Sequence, residues 1–354
     1  MRLKALVALT CASIVAIPAT ASFAQKRVKW KMQSAFGSSL PHLGTSGVRF
    51  SKNVADLSDD KFKIKFHEPG ALVPALECFD AAAKGSVDAC WTTPGYHAGK
   101  FPAASFFTAV PFGPGFGEYL AWKWFGNGNK IRDELYAKNG LKGFDSFCIG
   151  PETSGWFKTE IKGGIDSLKG IKMRFFGLGA KVMQKMGVST QLLAGADIYP
   201  ALEKGVIDAT EFSMPTIDIK LGFYQIAKNN YFPGWHQQVS CSEILMNKKG
   251  FEALPKNYQK MVEIAAGESV AYTYAETEAK NPQAMLDMGE KYGVITRRWS
   301  DADLAKLEQG WLDVLKEESA KDPLFKKVAE DFLSFRKTYR KWGDAQRLKS
   351  TYLK

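Results

Sequence analysis

Residues 81–89 read AAAKGSVDA and residues 201–209 read ALEKGVIDA. Lys84, Gly85, Val87, Asp88 and Ala89 thus recur 120 positions later as Lys204, Gly205, Ile207, Asp208 and Ala209. Each copy spells the last turn of a helix, a terminating glycine and a short buried strand, and a lysine suits the negative end of the helix dipole. Directly afterwards the copies part: Trp91-Thr92-Thr93-Pro94 against Glu211-Phe212-Ser213-Met214-Pro215. A phrase repeated in register predicts two similar α/β lobes that present the ends of these strands to a shared cleft.

Outward from the first copy, Val28 to Gln33 and Phe62 to His67 alternate as strands, and Ser38 to Leu57 has helical periodicity. With a helix over Ala75 to Lys84 and a strand over Val87 to Trp91, the order is β-α-β-α-β, which implies parallel pairing through right-handed crossovers. The glycine-, proline- and phenylalanine-rich segment 111–117 is a loop, followed by a helix from Glu118 to Asn139 and a strand from Leu141 to Gly150 that leaves the lobe. Around the second copy the pattern returns: strands at Trp156-Phe157 and Lys172 to Phe175, a helix from Gly179 to Met186, and a strand from Asp208 to Phe212. Val239 to Met246 reads as a strand returning to the first lobe. A long helical region from Asn257 to Tyr292, interrupted only at Asn281-Pro282, and a final one from Asp301 to Tyr339 complete the chain.

The first 24 residues have the form of a secretory signal: Arg2 and Lys4, an apolar stretch from Leu6 to Ile17, and Ser22-Phe23-Ala24 before a cleavage point near Ala24. Export to the periplasm follows. The full chain of 354 residues carries a net charge of +11, and loss of Arg2 and Lys4 with the leader leaves +9. An exported chain without a nucleic-acid motif argues against nucleic acid as a partner; attraction of anionic solutes is the milder reading. Four cysteines remain after the leader, Cys78, Cys90, Cys148 and Cys241, and allow three pairings in an oxidising compartment. Cys148 and Cys241 flank the second lobe, so strands crossing between lobes would bring them together; Cys78 with Cys90 is the other pair considered.

The expected organisation is a leader (1–24), the first part of lobe I (25–147), lobe II (148–240), a return to lobe I (241–256), a long helical region spanning both lobes (257–317) and a helical extension (318–354). This is a type II-like, two-lobed periplasmic solute-binding fold with hinge-crossing strands. Such a pair of lobes closes around a ligand by rigid-body motion and requires no chemistry. The hydrolase, zinc-protease and P-loop motifs are absent from the sequence. Gly177-Leu-Gly179 is only a weak echo of a dinucleotide loop.

Arg174, at a strand end before a glycine turn, can grip a carboxylate through two parallel hydrogen bonds. Glu211 stands where the first copy has Trp91, and a buried acid must be paired or bind a cation. Glu152 at the entry of the second lobe, and Gln237 and Gln238 at its exit, supply further oxygens suited to a hard cation. Phe36, Trp91, Tyr96, Phe175 and Phe212 are candidate walls of an apolar pocket with few polar anchors. His42, His67, His97 and His236 are scattered and read as surface or hydrogen-bonded residues.

The combination of Leu168-Lys-Gly-Ile-Lys-Met-Arg174, Gly177-Leu-Gly179, Ile198-Tyr-Pro-Ala-Leu-Glu-Lys-Gly205, Ile207-Asp-Ala209, Lys220-Leu-Gly-Phe-Tyr224 and Tyr231-Phe-Pro-Gly-Trp235 resembles the DctP-type substrate-binding proteins of tripartite ATP-independent periplasmic (TRAP) transporters. A looser match is Met32-Gln-Ser-Ala-Phe36. The chain is most similar to the branch that binds α-keto acids and related monocarboxylates. The resemblance implies that Arg174 clamps the substrate carboxylate, and that a sodium or calcium ion bridges it and the adjacent oxygen of a 2-oxo or 2-hydroxy acid. That branch has glutamine at the position of Glu152, glutamate at Glu211, tryptophan at Phe212 and glutamate at Gln237. The chain therefore gains one carboxylate and loses another, a compensating exchange that keeps a cation site with Phe212 contributing its backbone carbonyl. Phe175-Phe176 after the clamp is a further departure, whose bulk would shrink the pocket or stack on an aromatic acid. The function expected is capture of a small organic carboxylate and its delivery to TRAP membrane subunits. The rival readings are a periplasmic oxidoreductase or lyase using Glu152 and Glu211, and a sensor-associated binding protein. The extension from Asp322 to Trp342 resembles a helix that swaps between subunits, with Leu324, Val328, Phe332 and Phe335 as the face for a homodimer.

Overall fold

The computed structural model describes residues 26–348; the leader and its cleavage site lie outside the described residues. In the first lobe β1 (Val28–Ser34), α1 (Leu43–Leu57), β2 (Phe62–His67), α2 (Cys78–Lys84) and β3 (Ala89–Thr92) follow in order, with β1 parallel to both other strands. Then α3 (Phe116–Phe125) and α4 (Gly128–Lys138) lead into β4 (Leu141–Ile149), which carries the chain out. The second lobe comprises β5 (Gly155–Phe157), β6 (Lys172–Arg174), α5 (Gly177–Lys185), β7 (Ser189–Gln191), α6 (Gly195–Glu203), β8 (Ala209–Thr210), α7 (Pro215–Leu221) and β9 (Asn229–Phe232). The chain returns through β10 (Ser240–Asn247), which inserts antiparallel between β3 and β4. After α8 (Lys248–Glu252) comes α9 (Lys256–Glu290), which packs against β4, α1 and α7. The final elements are β11 (Ile295–Arg298), α10 (Asp301–Lys321) and α11 (Pro323–Ala345). The sheet orders are β2-β1-β3-β10-β4 and β11-β9-β5-β8-β6-β7.

The repeated phrase has the same role twice. Gly85 and Gly205 end their helices at φ 75° and 70°, a left-handed conformation that favours glycine. The aspartate that follows clips the next strand to its parallel neighbour. Asp88 accepts from the Lys31 amide at 2.7 Å, and Asp208 accepts from the Lys172 amide at 2.9 Å. Ala89 then pairs with Met32, and Ala209 with Met173.

Several elements differ from expectation. The helix expected over Glu118 to Asn139 is two helices, broken at Gly126-Asn127. The final region is also two, because Asp322 caps α11 by accepting from the amides of Leu324 and Phe325, with Pro323 at its first position. Conversely, α9 runs through Pro282 without interruption. The stretch 257–317 also contains a strand, β11, that pairs with β9 of the second sheet.

Both disulfides form. Cys148 and Cys241 face each other in register on β4 and β10, the two crossing strands, and Cys78 of α2 bonds to Cys90 of β3. A cross-link destabilises the unfolded chain more when it spans a longer loop, and the spans are 93 and 12 residues. Cys148→Ser with Cys241→Ser is therefore expected to lower the unfolding free energy by about 3–5 kcal/mol, more than loss of the shorter bridge. Chemical denaturation measures the difference, and equal losses would contradict the loop-length argument.

The apolar face expected to await a partner on the C-terminal helix is covered by its own chain. Phe325 and Phe332 pack edge-on against Phe106 at 4.9 and 5.8 Å, and Phe332 against Trp122 at 4.9 Å. Val328 is fully buried, and Leu324 and Phe335 are half-buried.

Candidate functional site

Between the two sheets lies a small cavity of about 30 Å³. Phe36, Leu43, Thr93, Tyr96, Ile149, Ser240 and Ser242 line it from the first lobe and the crossing strands. Glu152, Arg174, Phe176, Phe212, Ser213 and Gln237 line it from the second. The strand ends after each repeated phrase open onto it, as a shared cleft requires.

Arg174 ends β6 and is 1 % exposed. Its Nε donates to the Leu193 carbonyl at 3.2 Å, and one terminal nitrogen donates to the Glu211 carbonyl at 2.9 Å and to Glu211 Oε2 at 3.0 Å. The Phe176 amide donates to the same carboxylate oxygen at 3.0 Å. Glu211 is thus not on the cavity wall; it stands behind the guanidinium and fixes its orientation. The Phe212 ring lies 5.0 Å from the guanidinium. Tyr96 lines the same cavity as Arg174, and burial pushes its phenol up to about 12, so it stays neutral with a proton to donate.

Glu152 forms the adjacent wall. It accepts from the Gln237 side-chain amide and, at 3.4 Å, from the Ser213 hydroxyl. Between Glu152 and Glu211 sits His236, with Nε2 3.5 Å from an oxygen of each, distances of ion pairs rather than close hydrogen bonds. Among the described residues, Glu152, Glu211 and His236 are the one group of acids and histidines whose ligand atoms lie within 4.8 Å of one another. Burial pushes Glu152 up to about 7, opposed by His236 and reinforced by Glu211. Burial acts on Glu211 in the same direction, but Arg174 and His236 outweigh it and hold its carboxyl below the usual range. Burial also disfavours the charged ring of His236, yet the two carboxylates raise it to about 9.

Gln237 Oε1 is buried without a hydrogen bond, and so is Glu211 Oε1, whose ion-pair partner is His236 Nε2 at 3.5 Å. Buried oxygens of this kind, beside a second carboxylate, fit a hard cation, which takes oxygen ligands and compensates their desolvation. Glu152, Glu211 and Gln237 are the side chains that would hold it.

Two expected wall residues lie elsewhere. Trp91 is fully buried on the α1 side of β3, stacked on Phe147 at 4.8 Å and against Phe50 at 5.3 Å, with its indole donating to the Leu43 carbonyl. Trp91 lies within β3, whereas Thr93 and Tyr96, which face the cavity instead, lie beyond its end, where the chain turns at Pro94. Phe175 likewise points away, packing on Trp235 at 5.9 Å and His236 at 5.0 Å, and the cavity receives Phe176. Gln238 donates to the Gly234 carbonyl and does not line the cavity. His236, read as one of four scattered histidines, is the member of the cluster that spacing did not point to. Its place between two acids follows from the return of 231–237 beside Glu152, a contact distant in sequence.

Phe176 also crosses the cleft. A Cβ on Gly95 of the first lobe would stand 2.1 Å from the Phe176 ring, so only glycine allows the approach. Phe176 then meets Tyr96 edge-on at 5.6 Å, and Tyr96 meets Phe36 at 6.0 Å.

Two α/β lobes joined by crossing strands, closed over an arginine, paired acids and aromatic walls, define a solute-binding protein. The sequence profile of the DctP family, bacterial extracellular solute-binding protein family 7, matches residues 35–322, and the chain belongs to that family. It is 34 % identical over 322 residues to the monocarboxylate 2-oxoacid-binding periplasmic protein of Nostoc sp. strain PCC 7120, covering 91 % of this chain and 87 % of that one. A TRAP transporter solute-binding protein from Bordetella bronchiseptica RB50 superposes with a TM-score of 0.88 at 32 % identity, covering 91 % and 95 % of the two chains. Its crystal structure is a mixed-occupancy dimer, with calcium and picolinate in one site and the other apo. A TRAP periplasmic solute-binding protein from Pseudoalteromonas atlantica T6c, with bound sodium and pyruvate, superposes with a TM-score of 0.87 at 27 % identity, covering 91 % and 97 %. The family is one of transport solute-binding proteins, not of enzymes, which removes the oxidoreductase or lyase reading of Glu152 and Glu211. Among the described residues, no helix is long and apolar enough to cross a membrane.

Proposed function

We propose that this protein captures a small 2-oxo or 2-hydroxy monocarboxylate together with sodium or calcium and delivers it to the membrane subunits of a TRAP transporter. The observation that carries the reading is Arg174, buried in the cavity wall and braced by Glu211, with oxygens of Glu211 and Gln237 that accept no hydrogen bond beside it. The guanidinium would take the ligand carboxylate. A cation held by Glu152, Glu211 and Gln237 would supply a positive charge to the carboxylate and its neighbouring 2-oxygen. Tyr96 would donate to the same anion, while Phe36, Phe176 and Phe212 exclude water. Phe36, Tyr96, Phe176 and Phe212 offer ring faces on which a planar acid would stack, so picolinate belongs beside pyruvate in the ligand panel.

A thermal-shift and calorimetric screen of organic acids, each with and without sodium or calcium, tests the reading. A ligand that binds only the folded protein raises the melting temperature. Stabilisation by 2-oxo or 2-hydroxy monocarboxylates that grows with the cation is expected; indifference to every acid would reject the assignment.

Delivery takes place outside the cytoplasm, after cleavage of the leader near Ala24. Because the apolar face of α11 already fills a groove of its own chain, a homodimer through this helix would be an exchange of α11 between two copies. Light scattering is expected to give a dimer mass for the mature chain and a monomer mass for a chain ending at Lys321. Equal masses would exclude the exchange.

A further inference from the structure

His42 is fully buried, yet none of the groups that face the ligand cavity uses it. It precedes α1 at φ 61° and ψ −50°, and the Leu43 amide closes a three-residue turn on the Pro41 carbonyl at 2.6 Å. A side-chain-bearing residue rarely adopts this turn, and the strain persists only where the surroundings impose it. What imposes it is a bridge between three parts of the fold. Nδ1 lies 2.9 Å from Glu276 on α9, and Nε2 lies 3.0 Å from the hydroxyl of Thr216 on α7. Asn281 of α9 accepts from the Thr216 amide at 3.1 Å.

The contact crosses the cleft beside the ligand cavity. His42 adjoins Leu43, a wall of the first lobe, and Thr216 lies three residues beyond Ser213, a wall of the second. The Thr216 hydroxyl has one proton and two acceptors in reach, His42 Nε2 at 3.0 Å and Asn281 Oδ1 at 3.1 Å; with a neutral ring whose Nδ1–H donates to Glu276, that proton goes to Nε2. Burial holds His42 below its ordinary value despite Glu276, with Lys280 acting in the same direction as burial. Glu276 is itself paired with Lys280.

We infer that His42 is an inter-lobe latch, a positioning residue that holds the second lobe shut over the bound acid through Thr216. The inference rests on the solute-binding reading above and adds to it a residue that touches no ligand. A group whose partner lies on the opposite lobe acts on the closed state alone, so it slows release more than it speeds capture.

Thr216→Val removes the hydroxyl, and with it the contacts to His42 and to Asn281 Oδ1, while keeping the backbone bond to Asn281. His42→Asn keeps a residue that tolerates positive φ but is too short to span both partners. Calcium with pyruvate and calcium with picolinate are the probes, followed by stopped-flow and calorimetry. Either substitution is expected to raise the dissociation rate roughly five- to tenfold and leave association within about twofold. For Thr216→Val the ligand-free melting temperature is expected to stay within about 2 °C of wild type. The double variant is expected to be no worse than His42→Asn alone. Unchanged release by Thr216→Val, or a loss matched by a fall in ligand-free stability, overturns the latch. If the wild-type protein binds no acid of the panel, the functional reading fails, and small-angle scattering decides the latch: a larger radius of gyration in ligand-free Thr216→Val supports it, and identical profiles overturn it.

Discussion

Arg174→Lys is expected to weaken binding of a 2-oxo acid roughly 100-fold or more, measured by calorimetry at saturating cation. The guanidinium does three things that an ammonium cannot do together. It donates from Nε to Leu193, donates from one terminal nitrogen to Glu211, and remains planar against Phe212 with further N–H groups for a ligand. A lysine at the end of β6 would retain the charge that Glu211 requires, so the fold should survive, with ligand-free melting little changed. The ligand-induced rise in melting temperature should then nearly vanish, because that rise grows with the logarithm of ligand concentration over Kd. Ligand affinity within about threefold of wild type would show that the carboxylate is held elsewhere.

The fold was legible because its signals were local. The matched Lys-Gly and Asp-Ala of the two phrases marked both helix ends and both central strands, and Asp88 and Asp208 explain why the register is shared. Elements without a local signal were missed: β9 and β11 are short polar strands, and their pairing joins residues 229–232 to 295–298 across the length of α9. The breaks at Gly126 and Asp322 interrupt apolar patterns that continue on both sides of them. At the site, polar anchors were easier to read than walls. Arg174 and Glu152 are costly to bury without a task, whereas aromatic residues fill cores and pockets alike. Phe175 and Phe176 are neighbours just past the end of β6 that point to opposite sides, and Tyr96 faces the cavity from the turn after β3 while Trp91 stays in the strand, so small errors in placing a strand end misassign the walls. His236 became visible only when tertiary structure set it between two acids.

The second large effect concerns the cation. Glu211→Gln and Glu152→Gln are each expected to abolish the increase in acid affinity that sodium or calcium confers, a loss of roughly 100-fold. Glu211→Gln retains an oxygen for Arg174 and the Phe176 amide, so the clamp should keep its place while the charge beside His236 is lost. Glu152→Gln restores the residue that the keto-acid branch has there, but leaves Gln237 uncharged, so a single carboxylate would face the ion. If the exchange between positions 152 and 237 is compensating, Gln237→Glu added to Glu152→Gln should recover the cation dependence, because the second carboxylate returns within the same cluster. His236 provides the control for stability. Its ring is held charged by the two acids, so removing either weakens an ion pair in the cation-free protein and lowers its melting temperature for reasons unrelated to ligand. Affinity measured with and without cation at a temperature well below melting separates the two effects. Cation dependence lost in Glu211→Gln but intact in Glu152→Gln would place the ion on Glu211 alone and refute the exchange. Recovery in the double variant would establish that the chain keeps two charges at this site while having moved one of them across the cluster.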